Sequence, residues 1–212
     1  MMKKIAMLLL AGFLSFPAMA QKDAKAKKVL DATASKLSAM KGIKANFEIT
    51  SFNGTAEQGS STGTMYLDGK RYRMESPELI TWFDGKTQWA YIPENDEVNV
   101  STPTKEEQQA ANPYAFVALY KKGYNYTMTP TTYNGKTVNE VRLTAESSSA
   151  DIQEARVVIS TDNVPYSIRI RQGKANWTRI RISSLAGKQK FSKDTFTFPK
   201  DQYPSAEIID LR

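Results

Sequence analysis

Four Asx-Gly pairs punctuate this chain, at Asn53-Gly54, Asp68-Gly69, Asp84-Gly85 and Asn134-Gly135. A tight hairpin turn needs positive φ, which Gly adopts freely and Asn or Asp tolerates, so each pair predicts two neighbouring antiparallel strands. Four such turns leave room for little except an antiparallel meander. The third pair is the most informative. It separates Trp82-Phe83 from the alternating run Gln88-Trp89-Ala90-Tyr91, so two tryptophans share one hairpin. That much aromatic surface must face either a packed core or a ligand.

The rest of the chain supports the meander. Residues 22–40 carry Val29, Leu30, Leu37 and Met40 at helical spacing with lysines opposite, which predicts one amphipathic helix stopped at Gly42. The period then changes to two, with Ala45, Phe47 and Ile49 alternating with polar residues. A Gly/Ser/Thr-rich run, 58–63, reads as a linker ahead of Met65-Tyr66-Leu67, and further short strands are expected over 71–75 and 97–102. Thr104-x-x-Glu107 is a capping box, and Asn112-Pro113 opens the run 114–120, apolar nearly all round. A short helix with no polar face should be buried on more than one side. Strands resume over 124–130, 138–145, 154–160, 165–171 and 176–185, and a last aromatic strand is expected over 191–199. Ile168, Ile170, Ile180 and Ile182 alternate with Arg169, Arg171, Arg179 and Arg181, so one face there is apolar and the other cationic and wet. The fold class is α+β, mainly antiparallel β. About ten to eleven strands form a large, strongly curved sheet or partly closed barrel, with one helix in front and an inserted one as a plug or lid over its apolar cavity.

The chain opens Met1-Met2-Lys3-Lys4, continues through an apolar run to Leu14, and reaches Ala18-Met19-Ala20. This is the pattern of a cleaved signal peptide over residues 1–20, leaving 21–212 as a single domain. With no cysteine and no histidine in 212 residues, the exported chain has no disulfide and no lipid anchor. That points to the periplasm of a Gram-negative type bacterium. The same absences exclude Ser-His-Asp triads, cysteine nucleophiles and most transition-metal sites. Ser38-x-x-Lys41 lacks partner motifs, and Gly85-Lys86-Thr87 and Gly135-Lys136-Thr137 lack the upstream glycine of a phosphate loop. Glu94, Asp96 and Glu97 lack the spacing of a calcium loop. No catalysis, cofactor or metal is expected. Cleavage removes two of the 29 lysines and arginines, against 22 acidic residues. The modest surplus suits transient contact with a membrane surface and lacks the concentrated basic block of a nucleic-acid binder.

So many strands in so short a chain enclose a cavity rather than fill it. The inward-facing candidates are Met65, Leu67, Tyr72, Met74, Trp82, Trp89 and Tyr91, covered by lid residues Phe116, Leu119 and Tyr120. Phe83 stands as the alternative to Trp82, because neighbours on a strand face opposite ways and register is not readable. A greasy pocket with a removable wall fits a lipid or acyl chain. Each buried methylene is worth about 0.8 kcal/mol, so a multiply acylated molecule needs shielding to cross water.

Several motifs share an order with one known family. They are Gly63-x-Met65-Tyr66-Leu67, then Asp84-Gly85-Lys86-Thr87-Gln88-Trp89-x-Tyr91-x-Pro93, Asn112-Pro113, and Phe196-Thr197-Phe198-Pro199. Together they resemble the periplasmic outer-membrane lipoprotein carrier family, LolA, over essentially the whole mature chain. The resemblance implies an unclosed barrel with a helical lid, no cofactor and no catalysis. It also implies a carrier that takes acylated lipoproteins from an inner-membrane lipoprotein-releasing transporter to an outer-membrane receptor. A monomer is expected. Family members carry Arg-Pro after the first long strand, and that arginine helps hold the lid. Here the stretch reads Asp68-Gly69-Lys70-Arg71, which leaves Arg71 and Arg73 as the lid-holding candidates. Two other functions fit the same fold: a carrier of free phospholipid or glycolipid, and a non-catalytic envelope sensor or regulatory domain.

Overall fold

Helix α1 (Ala24–Ala39) starts at Asp23, whose carboxylate accepts from the backbone N–H groups of Lys25 and Ala26 at 2.7 and 3.3 Å. Two of the donors that a helix start leaves unpaired are thereby satisfied. Of the stripe read from the sequence, Leu30 and Leu37 are buried, together with Ala26 and Thr33, while Val29 and Met40 are partly buried beside them. The chain leaves the helix through Gly42 at φ +77°. The structure, a computed structural model, describes residues 22–104, 107–108 and 120–212. The signal peptide expected over 1–20 and all but Tyr120 of the helix expected over 113–120 lie outside these residues.

Among the described residues twelve strands form one sheet. They are β1 (Ile43–Asn53), β2 (Ala56–Asp68), β3 (Arg71–Glu75), β4 (Ile80–Phe83), β5 (Gln88–Ile92), β6 (Glu97–Ser101), β7 (Tyr124–Tyr133), β8 (Lys136–Ala145), β9 (Ile152–Ser160), β10 (Pro165–Gln172), β11 (Asn176–Ala186) and β12 (Glu207–Asp210). Their order across the sheet is β12-β6-β5-β4-β3-β2-β1-β11-β10-β9-β8-β7. Every neighbouring pair is antiparallel except β12 with β6. The outermost strands, β7 and β12, do not pair, so the sheet is not closed into a barrel. The fold is α+β, antiparallel as the turns imply and unclosed as the family resemblance implies.

The turns behave as their residues require. Asn134 and Gly135 both have positive φ, 50° and 74°, in a two-residue hairpin loop between Tyr133 and Lys136. Asp84 supports a longer loop, accepting on one carboxylate oxygen from the backbone N–H groups of Lys86 and Thr87, each at 2.8 Å. The capping box is also formed. The backbone N–H of Thr104 donates to the Glu107 carboxylate at 2.7 Å, and that of Glu107 to the Thr104 hydroxyl at 3.2 Å.

Three expectations are corrected. The polar run 58–63 is not a linker but part of the thirteen-residue strand β2, paired with β1 across residues 59–63 with a register shift at Gln58. It carries no alternation because residues 56–60 are exposed on both faces. The aromatic stretch 191–199 is not a strand. It forms a short 3-10 turn, Lys193–Phe196, and leads to a second, Lys200–Gln202. The last strand is instead β12, short and mostly exposed, which brings the total to twelve. Among the described residues no helix is long and apolar enough to cross a membrane.

Candidate functional site

Strand register sorts every inward candidate onto one of two faces. Directly opposed residues share a face and sequence neighbours do not. Met65 lies in the core built by α1 with Ile43, Ala45 and Phe47, which fixes the face toward the helix. Across the sheet Leu67 opposes Tyr72, Tyr72 opposes Phe83, and Phe83 opposes Gln88, while Met65 opposes Met74. Met65, Leu67, Tyr72, Met74 and Phe83 therefore form one apolar patch on the helix face. Phe83 and Tyr72 are 0% and 3% exposed with ring centroids 5.1 Å apart, whereas Leu67 and Met74 keep partial exposure at the fringe of the core.

Among the described residues the patch has one polar handle. The Tyr72 hydroxyl donates to the Gln88 side-chain carbonyl at 2.6 Å. Burial pushes its phenol up to about 12, because the charged form would lose its hydration. Beyond Gln88 the surface turns polar, and a recess of about 510 Å³ is lined by Gln88, Ser101, Thr102 and Arg212 among others.

Trp82, Trp89 and Tyr91 are on the other face. Trp82 opposes Arg73 on one side and Trp89 on the other, and Tyr91 lies two residues beyond Trp89. The C-terminal segment crosses this far face. Trp82 is 0% exposed and packs edge-on against Phe198 at 5.4 Å and Tyr203 at 5.9 Å. Tyr91 meets Tyr203 at 4.5 Å, and Phe191 meets Tyr66 at 5.8 Å. The sequence-based set is thus split, and Phe83 occupies the helix-face position that Trp82 was expected to hold.

The two arginines expected to hold a lid go with Trp82. Arg73 stacks over Trp82 at 5.5 Å and ion-pairs with Glu75. Arg71 stacks over Phe196 at 4.8 Å and pairs with Asp68 at 2.5 Å. Both lie on the face away from Tyr72, Arg71 against Phe196 of the C-terminal segment and Arg73 against Trp82, on which that segment packs. Of the lid residues, Phe116 and Leu119 lie outside the described residues. Tyr120 is 4% exposed in the core beneath α1. Its hydroxyl donates to Asp31 on the helix, and its ring meets Tyr126 edge-on at 5.9 Å. Burial first, and the Asp31 carboxylate second, push its phenol up.

Strands β8 to β11 present a feature that the sequence shows only as alternation. The far face there carries Arg142, Arg156, Arg169, Arg171, Arg179 and Arg181, with Phe52 and Trp177 between them. Among the described residues no group of three or more Asp or Glu side chains converges as a metal site.

A family model described as "Outer membrane lipoprotein carrier protein LolA" matches residues 16–174 of the chain. No curated protein matches the sequence. Among solved structures, an uncharacterized conserved protein from Thermus thermophilus is 10% identical, with a TM-score of 0.58 over 88% of this chain and 99% of that one. That likeness shows a shared fold. A LolA superfamily protein from Nitrosomonas europaea is 12% identical, with a TM-score of 0.42 over 82% of this chain and 97% of that one. The lipoprotein LppX of Mycobacterium tuberculosis is 10% identical, with a TM-score of 0.48 over 78% of this chain and 98% of that one.

Proposed function

The chain belongs to the outer membrane lipoprotein carrier (LolA) family, and from that premise we propose that it is a periplasmic, non-catalytic carrier of acylated lipoproteins. The observation that supports this is the apolar patch of Met65, Leu67, Tyr72, Met74 and Phe83 on the helix face of a sheet that never closes. The strip is buried at Met65, Tyr72 and Phe83 and keeps partial exposure at Leu67 and Met74, so a flexible hydrocarbon chain would enter beside those two residues. The driving force is burial, about 0.8 kcal/mol per methylene, and needs no charged or covalent partner. The polar handle on the patch, Tyr72 with Gln88, is already satisfied internally. Acyl chains therefore need bring no partner for it.

In this reading the carrier takes its client from an inner-membrane releasing transporter and yields it to an outer-membrane receptor. The test is native mass spectrometry of the protein isolated from its own periplasm. A co-purifying acylated lipoprotein is the expected result. Diacyl lipid bound without any polypeptide would replace the lipoprotein with free phospholipid as cargo. A protein that binds neither in reconstitution would refute the carrier reading.

A further inference from the structure

The far face of β8–β11 carries a row of four arginines in direct register. Arg142 opposes Arg156, Arg156 opposes Arg169, and Arg169 opposes Arg179. With neighbouring strands roughly 4.8 Å apart, the row spans about 14 Å. Like charges placed directly opposite one another destabilise a sheet. Such a row survives only where something offsets the repulsion.

Part of the offset is internal. Glu154, 4% exposed, ion-pairs with Arg156 at 2.7 Å, Arg142 at 3.0 Å and Arg171 at 3.7 Å. Glu48 serves Arg181 at 3.4 Å and Arg179 at 3.5 Å. Glu140 lies on the same face opposite Val158, and Glu57 at its rim opposite Phe52. Arg169 is different. It ion-pairs with no carboxylate among the described residues, although an arginine flanks it on each side. Its guanidinium lies over the Trp177 ring at 4.6 Å and the Phe52 ring at 5.2 Å. Arg156 and Arg171 also lie over Trp177, and Arg179 over Phe52. The Nε groups of Arg169 and Arg179 are buried without a hydrogen-bond partner, and guanidinium groups are the donors best matched to phosphate and carboxylate oxygens.

We propose that this face docks on the anionic phospholipid surface of a bilayer, with the arginine row meeting the phosphates of several headgroups. Two observations favour lipid over an acidic protein. A protein interface is centred on apolar anchors that fill pockets. Here both aromatic rings are capped by cations, which leaves neither free as an apolar anchor. In addition, the face ends beside Arg171 in a polar recess of about 420 Å³, lined by Ser148, Asp151, Gln153, Lys174 and neighbouring backbone. The Gln153 amide is spent on the Ser148 and Ala150 carbonyls and Asp151 is the one anion in the lining, while the Ser148 hydroxyl and the Arg171 and Lys174 cations suit a phosphate-bearing headgroup. The inference is independent of what the helix face carries.

The test is co-sedimentation of the purified protein with vesicles of phosphatidylcholine alone and of phosphatidylcholine mixed with an equal amount of phosphatidylglycerol. Binding should require phosphatidylglycerol and weaken as salt is added. The Arg156→Gln/Arg169→Gln variant should lose about tenfold or more in vesicle partition. The Lys25→Gln/Lys28→Gln variant removes the same charge from the exposed side of α1 and should keep most of it. Arg142→Gln, at an exposed position, carries the test should the double variant misfold. Acyl-probe binding by these variants should stay at the wild-type level, which separates this inference from the carrier reading. Equal partition of wild type and the arginine variants overturns the proposal. So does tight binding of a soluble acidic peptide by a protein that ignores the vesicles.

Discussion

The division of the aromatic residues between two faces makes a sharp prediction. Met74 and Trp89 are both partly exposed residues on interior strands of the sheet, and both looked equally suited to a cavity. Register places Met74 opposite Met65 on the helix face, and Trp89 opposite Trp82 on the far face. Introducing glutamate at each position therefore tests the face and not the fold. At position 74 the free protein tolerates the change at modest cost, since a half-exposed carboxylate can keep its water. A bound acyl chain would strip that water and offer no hydrogen bond in return. Burying a polar group without a partner costs roughly 3 kcal/mol, and an ionised one more. That corresponds to about a 100-fold or greater loss of affinity.

The assay is displacement of a fluorescent fatty acid, followed by capture of a diacylated lipopeptide. Near-ultraviolet circular dichroism verifies that each variant is folded. Met74→Glu should lose both activities, while Trp89→Glu should bind as the wild type does. The reverse pattern would refute the assignment of the acyl site to the helix face. Equal losses in two folded proteins would refute the argument that register selects the site.

Three further outcomes follow from the packing. Trp82→Ala should cost about 3–5 kcal/mol in denaturant unfolding and expose residues 191–203 to limited proteolysis, because Phe198 and Tyr203 lose the ring they pack on. Gly42→Ala should destabilise more than any other glycine-to-alanine change at a turn. Gly42 sits at φ +77°, and a Cβ there would lie 2.0 Å from the Gln189 carbonyl oxygen. Stability should fall at alkaline pH. The Tyr72 phenol is held at about 12 in the fold against 10.0 for its ordinary value, so its contribution is full below pH 10 and declines between pH 10 and 12. Tyr72→Phe should flatten that part of the profile.

The turns, and hence the antiparallel order, were legible because Asx-Gly chemistry is local. Helix α1 was legible because its stripe has one period and one buried side. What could not be read has a common cause. Trp82 and Phe83 are neighbours that are both 0% exposed, because β4 is covered on both faces and leaves no alternation to show which ring points where. The run 58–63 fails in the opposite way, with little buried on either face and so again no alternation. Phe196 and Phe198 imitate a strand by their spacing, yet both serve the same far-face cluster from a 3-10 turn and its exit. The arginine row depends on register across four strands. The residues alternate visibly along β10 and β11, but only pairing reveals that their cations coincide.

These two faces are linked by a constraint on stability. A carrier must leave part of its apolar surface under-packed, and each unfilled position forgoes contact energy that an ordinary core would hold. The helix face shows this deficit in the half-buried Leu67 and Met74 beside the fully packed core under α1. The far face of the same strands offsets it. Trp82, Val98 and Val100 are all buried there, and Arg71 stacks on the buried Phe196 of the C-terminal segment. A ring on the far face stiffens β3 and β4 without filling the space where an acyl chain would lie. Enlarging Met74 to Phe should then raise stability while reducing acyl binding, whereas shortening the far-face rings should lower stability alone. A single sheet can be tuned on one face for dense packing and on the other for open space only if its strands are covered asymmetrically. The C-terminal segment provides that asymmetry.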